Sequence, residues 1–352
     1  MVYQPTKAIH PGYLIQRALD DSNMSQLSLA ERTGLSPKHI NEIIKGKTSL
    51  TVETALLLEN SLGGSANFWI NLEKNYQETL ARIDNDKRAI TEITLAKKFP
   101  YLEIVKAGFL SSTQVQKDRV KILWKFFGVN SLNTVELTES VAFRKRNAKN
   151  INPEALATWL RCGEIEASKL ELPEYSALTL RKNLSSIKAL SRRPDFGKPL
   201  QTKLAESGVG IVYIPHFKHT QINGATRWIG VNPLIQLSIF GKDADKFWFT
   251  LFHEVGHILN GHSKKETFLD FKNIEKEEIE KQADKFASNT LIPNDKFRVF
   301  VETGDITRDA IITFAQVNGI SPGIVLGRLK HEEILDWAVH QDLHAKLEFT
   351  KD

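Results

Sequence analysis

The stretch Phe247-Trp-Phe-Thr-Leu-Phe-His253-Glu254-Val255-Gly256-His257 decides how the C-terminal half of the chain reads. Two histidines four residues apart on a helix share a face and can ligate one metal ion. The glutamate between them can then take a proton from water activated by that metal. At about 100° per residue, Leu251, Phe252, Val255, Ile258 and Leu259 fall in one arc, and His253, Glu254 and His257 in another. The predicted helix, from about Asp243 to Leu259, therefore has a packed face and a face turned to a cleft. The motif also arises by chance, and a purely structural histidine pair has the same spacing.

A catalytic zinc needs a third protein ligand and an open fourth position. Glu280-Lys-Gln-Ala-Asp284 predicts a second helix, from about Ile274 to Thr290, with both carboxylates on one face and Ile279, Ala283, Phe286 and Ala287 on another. Glu280 can complete the ligand set, and Asp284 can accept a hydrogen bond from a ligand histidine. Taken alone, these carboxylates also read as a solvated face. His262 is the weaker candidate, because it stands one residue too close to His257 for the longer histidine signature. The single cysteine, Cys162, excludes an intramolecular disulfide and a cysteine-based zinc cluster; it reads as an ordinary buried thiol. Trp248 and Phe249 read as core. The group that would stabilise a transition state stays open among Arg227, Tyr213 and His216.

Outward from this helix, GVGIVYIPH, beginning at Gly208, has the β-branched run of a buried strand, and the stretch from Gln221 onward contains two more. The C-terminal region is therefore α+β. Residues 81–200 read as mainly helical, with breaks near Pro100, Gly108, Gly128, Pro153 and Pro173.

Residues 11–80 predict five short helices. Pro11 opens the first, Ser25 caps the second, Ser36 the third, Thr51 the fourth, and Ser65 a fifth that runs to about Thr79 with Phe68, Trp69 and Leu72 inward. Ala30, Gly34, Ile40 and Ile43 supply what two crossing helices need: a small contact residue, a turn residue tolerant of positive φ, and apolar anchors. Lys38, His39, Asn41, Glu42 and Lys45 then project outward, and Lys, His and Asn can read base edges or hold phosphates. Gln26 at the N-terminus of the second helix suits a phosphate contact; Ser36 and Lys47, flanking the third helix, complete the candidate DNA-contacting set. A plain helical bundle shares this spacing, and Glu42 repels phosphate.

Two family resemblances bear on these alternatives. His10-Pro11-Gly12, Ile44-Lys45-Gly46-Lys47, Thr54-Ala55 and Phe68-Trp69-Ile70-Asn71-Leu72 resemble the HigA-type antitoxin branch of the XRE helix-turn-helix family. That resemblance implies a homodimer on a palindromic double-stranded DNA operator, often its own promoter, and a small toxin as a further partner. FWFTLFHEVGH with EKQADKFASNTLIP and the preceding INGATRW resembles the ImmA/IrrE family of gluzincin-like metallopeptidases. It implies zinc, Glu254 as general base, and limited proteolysis of a regulatory, repressor-type protein. The non-catalytic alternative is an antitoxin that neutralises its toxin and represses its operon, with the zinc-peptidase fold serving structure alone.

The expected architecture is mostly α with an α+β C-terminal domain: a helix-turn-helix bundle over 1–80, a helical middle over 81–200, and a zincin-like domain over 201–352. The net charge of +5 is uneven, with −1 over 1–80, +3 over 81–142, +7 over 143–203 and −4 over 204–352. The basic middle reads either as solvated helix faces or as an aid to DNA binding. No apolar run reaches the ~18–20 residues of a membrane helix, and the start, MVYQPTKAIHPG, lacks a signal-peptide layout. A cytoplasmic protein is expected.

Overall fold

The structure, a computed structural model, describes residues 7–135, 142–145, 152–218, 220, 222–238, 243–261 and 273–347. The chain is mostly helical, and it divides into two compact units. One spans Met1–Ile93 with Val115–Lys121, the other Thr94–Gln114 with Ile122–Asp352.

The first unit holds α1 (Pro11–Asp21), α2 (Gln26–Thr33), α3 (Pro37–Ile44), α4 (Val52–Leu62) and α5 (Ala66–Thr91). The side chains of Ser25, Ser36, Thr51 and Ser65 each accept the backbone N–H three residues on, satisfying donors that a helix start leaves orphaned. Gly34, at φ 72°, ends α2 in the left-handed conformation that a side chain resists. Ile15, Leu19, Leu29, Ala30, Ile40, Ile43, Leu58 and Trp69 form the core.

His10-Pro11-Gly12 has a structural cause. His10 Nδ1 accepts the Gly12 N–H at 2.9 Å, its ring meets Tyr76 edge-on at 4.7 Å, and Pro11 opens α1. A Cβ on Gly12 would lie 2.5 Å from the carbonyl oxygens of both Ile43 and Ile44, so glycine lets α1 touch the end of α3. Buried Glu73 accepts the Leu50 N–H at 3.2 Å, tying α5 to the chain before α4.

Two expectations change here. α5 runs twelve residues past Thr79, because nothing between Ala66 and Thr91 is Gly or Pro, and Glu78 pairs with Arg82 one turn on. Phe68 is half exposed rather than inward; it packs edge-on against Trp69, which takes the core position.

α6 (Ile93–Ala96), α7 (Tyr101–Lys106), α8 (Gln116–Phe127), α9 (Pro153–Ala167), α10 (Ala177–Ala189) and α11 (Gly197–Ala205) follow, with breaks at Pro100, Gly108, Gly128 and Pro153. Four strands form one sheet: β1 (Ala142–Lys145), β2 (Gly210–Tyr213), β3 (Ile222–Ile229) and β4 (Asn232–Leu237), ordered β1-β3-β4-β2. β3 and β4 make a two-residue hairpin at Gly230-Val231, where Gly230 takes φ 60°. β2 runs parallel to β4, and β1, a strand the sequence did not announce, runs antiparallel to β3.

α12 (Ala244–Leu259) lies on the sheet, and α13 (Asn273–Leu291) lies against α12. α14 (Asn294–Glu302), α15 (Arg308–Asn318) and α16 (Pro322–His331) complete the unit. Leu251, Phe252, Val255 and Ile258 of α12 share a core with Leu180, Leu200, Ile235, Leu237, Ala287 and Leu326. Among the described residues no single helix is long and apolar enough to cross a membrane. α15 and α16 together are, but they meet at 114°, and Ile311, Ala315, Ile324, Val325, Leu326 and Leu329 of this pair belong to the core.

Several basic residues of the +7 stretch face carboxylates on their own surface: Arg161 with Glu164, Lys169 with Glu166, Arg193 with Asp195, and Lys203 with Glu206. Exposed pairs of this kind add little stability, and they suit the solvated-face reading. Cys162 is fully buried in α9, and burial pushes its thiol well above the usual range, as an inert thiol requires.

Candidate metal centre and nucleic-acid interface

α12 buries both of its faces. The apolar arc meets the core, and His253, Glu254 and His257 on the other arc are themselves 0% exposed. What covers them is α13. Gly256 makes this possible: a Cβ there would already lie 3.3 Å from the Ala283 Cα and 3.1 Å from the Phe286 ring. The close approach brings Glu280 over the histidine pair.

The resulting distances are those of a ligand set. His253 Nε2 lies 3.0 Å from His257 Nε2 and 3.2 Å from Glu280 Oε2, and His257 Nε2 lies 3.6 Å from Glu280 Oε1. Ligands about 2.1 Å from a common tetrahedral ion sit roughly 3.4 Å apart, so the three groups fit zinc. Asp284 Oδ1 takes the other ring nitrogen, His253 Nδ1, at 2.8 Å. That hydrogen bond fixes the ring with Nδ1 protonated, leaving the Nε2 lone pair to face the other ligands.

β3 closes the far side of Glu254. Thr226 Oγ1 donates to the Glu254 carbonyl at 3.4 Å, and a Cβ on Gly224 would lie 2.9 Å from Glu254 Oε1. Neither residue was singled out by sequence. A glycine inside a strand is the signal that could have found Gly224, since it marks a close approach.

Burial opposes charge on His253, but Asp284 and Glu280, with Glu254, outweigh it and raise its pKa to about 9. With no ion bound, this pairing stabilises the fold fully below the ordinary histidine pKa of about 6.5, and the contribution is lost as pH rises through about 9. A zinc ion entering this site would have to displace the same proton. Its apparent affinity should therefore climb by about tenfold per pH unit towards pH 9 and flatten above it; competition against a chromophoric chelator across that range measures the slope. An affinity independent of pH would mean that no histidine proton is displaced.

Among the described residues, the other sequence candidates have partners of their own. Arg227 is committed to Glu164 Oε1 at 2.7 Å and to the Leu160 carbonyl at 2.6 Å. The Tyr213 hydroxyl donates to the Gly197 carbonyl at 3.5 Å, and His216 pairs with Thr220. His262 lies outside the described residues. Trp248 is core, whereas Phe249 is only partly buried and lines a cavity.

In the first unit α3 presents its expected outer face. Ile40 and Ile43 are buried, Lys38, Lys45 and Lys47 are exposed, and His39, Asn41 and Glu42 are partly exposed. Ser36 spends its hydroxyl capping α3, accepting the His39 N–H at 3.2 Å. Gln26 stands at the first position of α2, and its side-chain amide donates to Gln16 Oε1 at 3.0 Å. Lys38 is 4.0 Å from Glu42, which offsets part of the repulsion Glu42 would offer to phosphate.

Comparison with known proteins agrees with this division. Residues 15–69 match the helix-turn-helix family model, and residues 208–330 match the IrrE N-terminal-like domain of the M78 peptidases. The chain carries a helix-turn-helix domain at one end and an IrrE-like domain at the other. Two relatives of the helix-turn-helix segment illustrate it. Virulence-associated protein I of Dichelobacter nodosus is 36% identical over 87 residues, which are 24% of this chain and 79% of that protein. The uncharacterised HTH-type transcriptional regulator YddM of Escherichia coli is 29% identical over 86 residues, 23% of this chain and 92% of that one. A solved structure titled as an addiction module antidote protein of a HigA family from Coxiella burnetii is 29% identical, covering 24% of this chain and 95% of its own, with a TM-score of 0.23. The helix-turn-helix domain makes the chain a DNA-binding regulator, and its second domain is IrrE-like.

Proposed function

We propose that this regulator carries a zinc-dependent peptidase that cuts a regulatory protein, and that its helix-turn-helix places it on an operator as a homodimer in the cytoplasm. The observation that carries the reading is the convergence of His253, His257 and Glu280, whose ligand atoms lie within 4.8 Å of one another, with Glu254 between the two histidines in sequence. Zinc held by these three supplies Lewis acidity and makes nearby water acidic.

The chain's own groups do the rest. Glu254, fixed between α12 and β3, is the base that takes the water proton at its carboxylate and returns it to the departing amine. Asp284 keeps His253 in the tautomer that ligates. Burial of both histidines excludes solvent from their rings, so their nitrogens stay directed at one point. Incubating the zinc-loaded chain with the proteins of its host and identifying new N-termini by mass spectrometry tests the reading. New termini that vanish with a chelator are expected; their absence contradicts it.

For DNA, exposed Lys45 at the end of α3 is assigned to a phosphate. Lys45→Ala should weaken binding evenly across sequences and flatten the log–log salt dependence by about one unit. An unchanged slope removes that role. A second copy is supported by Val52 and Leu56, one turn apart on α4 and 59% and 49% exposed, an apolar pair with no cover of its own.

A further inference from the structure

A cavity of about 240 Å³ opens beside the metal centre, one helical turn away along both α12 and α13. Phe249, four residues before His253, and Asp284, the partner of His253, both line it. Whole small-molecule ligands occupy pockets of about 300–1,000 Å³, so this space suits a single side chain. Its walls are apolar at Phe249, Leu291, Ile292 and Ile324, and Trp337, 58% exposed, also lines it.

The charges around it are not evenly matched. Arg328 is fully engaged, donating to the Ile292 carbonyl at 2.7 Å, Asn294 Oδ1 at 2.7 Å and Glu332 Oε1 at 2.8 Å, while Lys246 pairs with Asp243. Asp284 is spent on His253. Asp245 differs. Its Oδ1 is buried and makes no hydrogen bond among the described residues, and His344 Nδ1 stands 3.7 Å away, beyond hydrogen-bond reach. Burial holds the Asp245 carboxyl above its ordinary pKa against the opposing pull of His344, and burial holds His344 below its own.

Resting on the peptidase reading, we infer that this cavity is the specificity pocket for a peptide held at the metal, and that it takes a lysine or arginine side chain. The aliphatic stem lies along the apolar walls, the charged head meets Asp245, and the Trp337 ring lies at the surface where the cation enters. The buried Asp245 Oδ1, with no hydrogen-bond donor among the described residues, penalises an apolar guest, so the preference is for charge and not only for size.

The test uses capped, fluorescein-labelled pentapeptides whose central residue is lysine, arginine, norleucine or phenylalanine. They are titrated by fluorescence anisotropy against the zinc-loaded full chain carrying Glu254→Gln, which prevents turnover. Lysine and arginine probes should bind about tenfold tighter than norleucine. Asp245→Asn should erase most of that difference. Trp337→Ala, at an exposed position, should reduce it without loss of Tm, which keeps the test valid if Asp245→Asn misfolds. Equal or tighter binding of norleucine or phenylalanine, a preference that survives both substitutions, or no binding by any probe would overturn the assignment. Zinc content and new N-termini from wild-type protein report on the underlying peptidase separately, so a peptidase without this preference is distinguishable from no peptidase.

Discussion

Glu254→Gln should leave zinc content near that of the wild type and lower cleavage by about 10²–10⁴-fold, the contribution of a positioned general base. The glutamine has nearly the same shape, so the packing of α12 against Gly224 and Thr226 survives. What is lost is an acceptor for the water proton. Glu254 is not among the three groups that converge on the metal position, so ligation does not depend on it. New N-termini that form with the wild type and not with Glu254→Gln, at equal zinc content, are the expected result. Undiminished cleavage by the variant would end the assignment of Glu254 as base, and loss of zinc with activity would make it a ligand.

Gly12→Ala has the second large expected effect, on stability. The added methyl would meet two carbonyl oxygens at 2.5 Å, and both belong to the backbone at the end of α3. A side chain could turn aside, but a helix terminus has to move. Overpacking of this kind costs about 3 kcal/mol, which for a unit of this size lowers Tm by roughly 12–24 °C. The shift is read by calorimetry of the full chain, with operator affinity falling in parallel because α3 is displaced. Gly197→Ala, where a Cβ meets nothing within 4 Å, is the control and should be tolerated. A Gly12→Ala protein as stable as that control would mean that α1 and α3 are not in close contact.

Much of this architecture was readable from local rules. The caps at Ser25, Ser36, Thr51 and Ser65 fall where the sequence places them, because N-capping depends on a hydroxyl and the three residues after it. The i, i+4 spacings of His253 with His257 and of Glu280 with Asp284 each put two groups on one helix face, and the structure brings the two faces together. What could not be read depends on distant partners. β1 has four residues and no alternation of its own; it exists as a strand only through pairing with β3, some 80 residues later. The cavity draws Asp245 from the start of α12 and Trp337 from beyond α16, and no spacing links them. The length of α5 was misjudged for another reason. Apolar spacing fades after Leu80, yet a helix persists wherever nothing breaks it and charged neighbours one turn apart support it.

Two helices of an IrrE-like domain are proposed to build one zinc site in a DNA-binding regulator. Elemental analysis of the purified full chain and of His253→Ala, after equal exposure to zinc and removal of free metal, tests it most directly. About one zinc per wild-type chain is expected, from one set of three protein ligands, and little or none in the variant. Equal zinc in both proteins would contradict it.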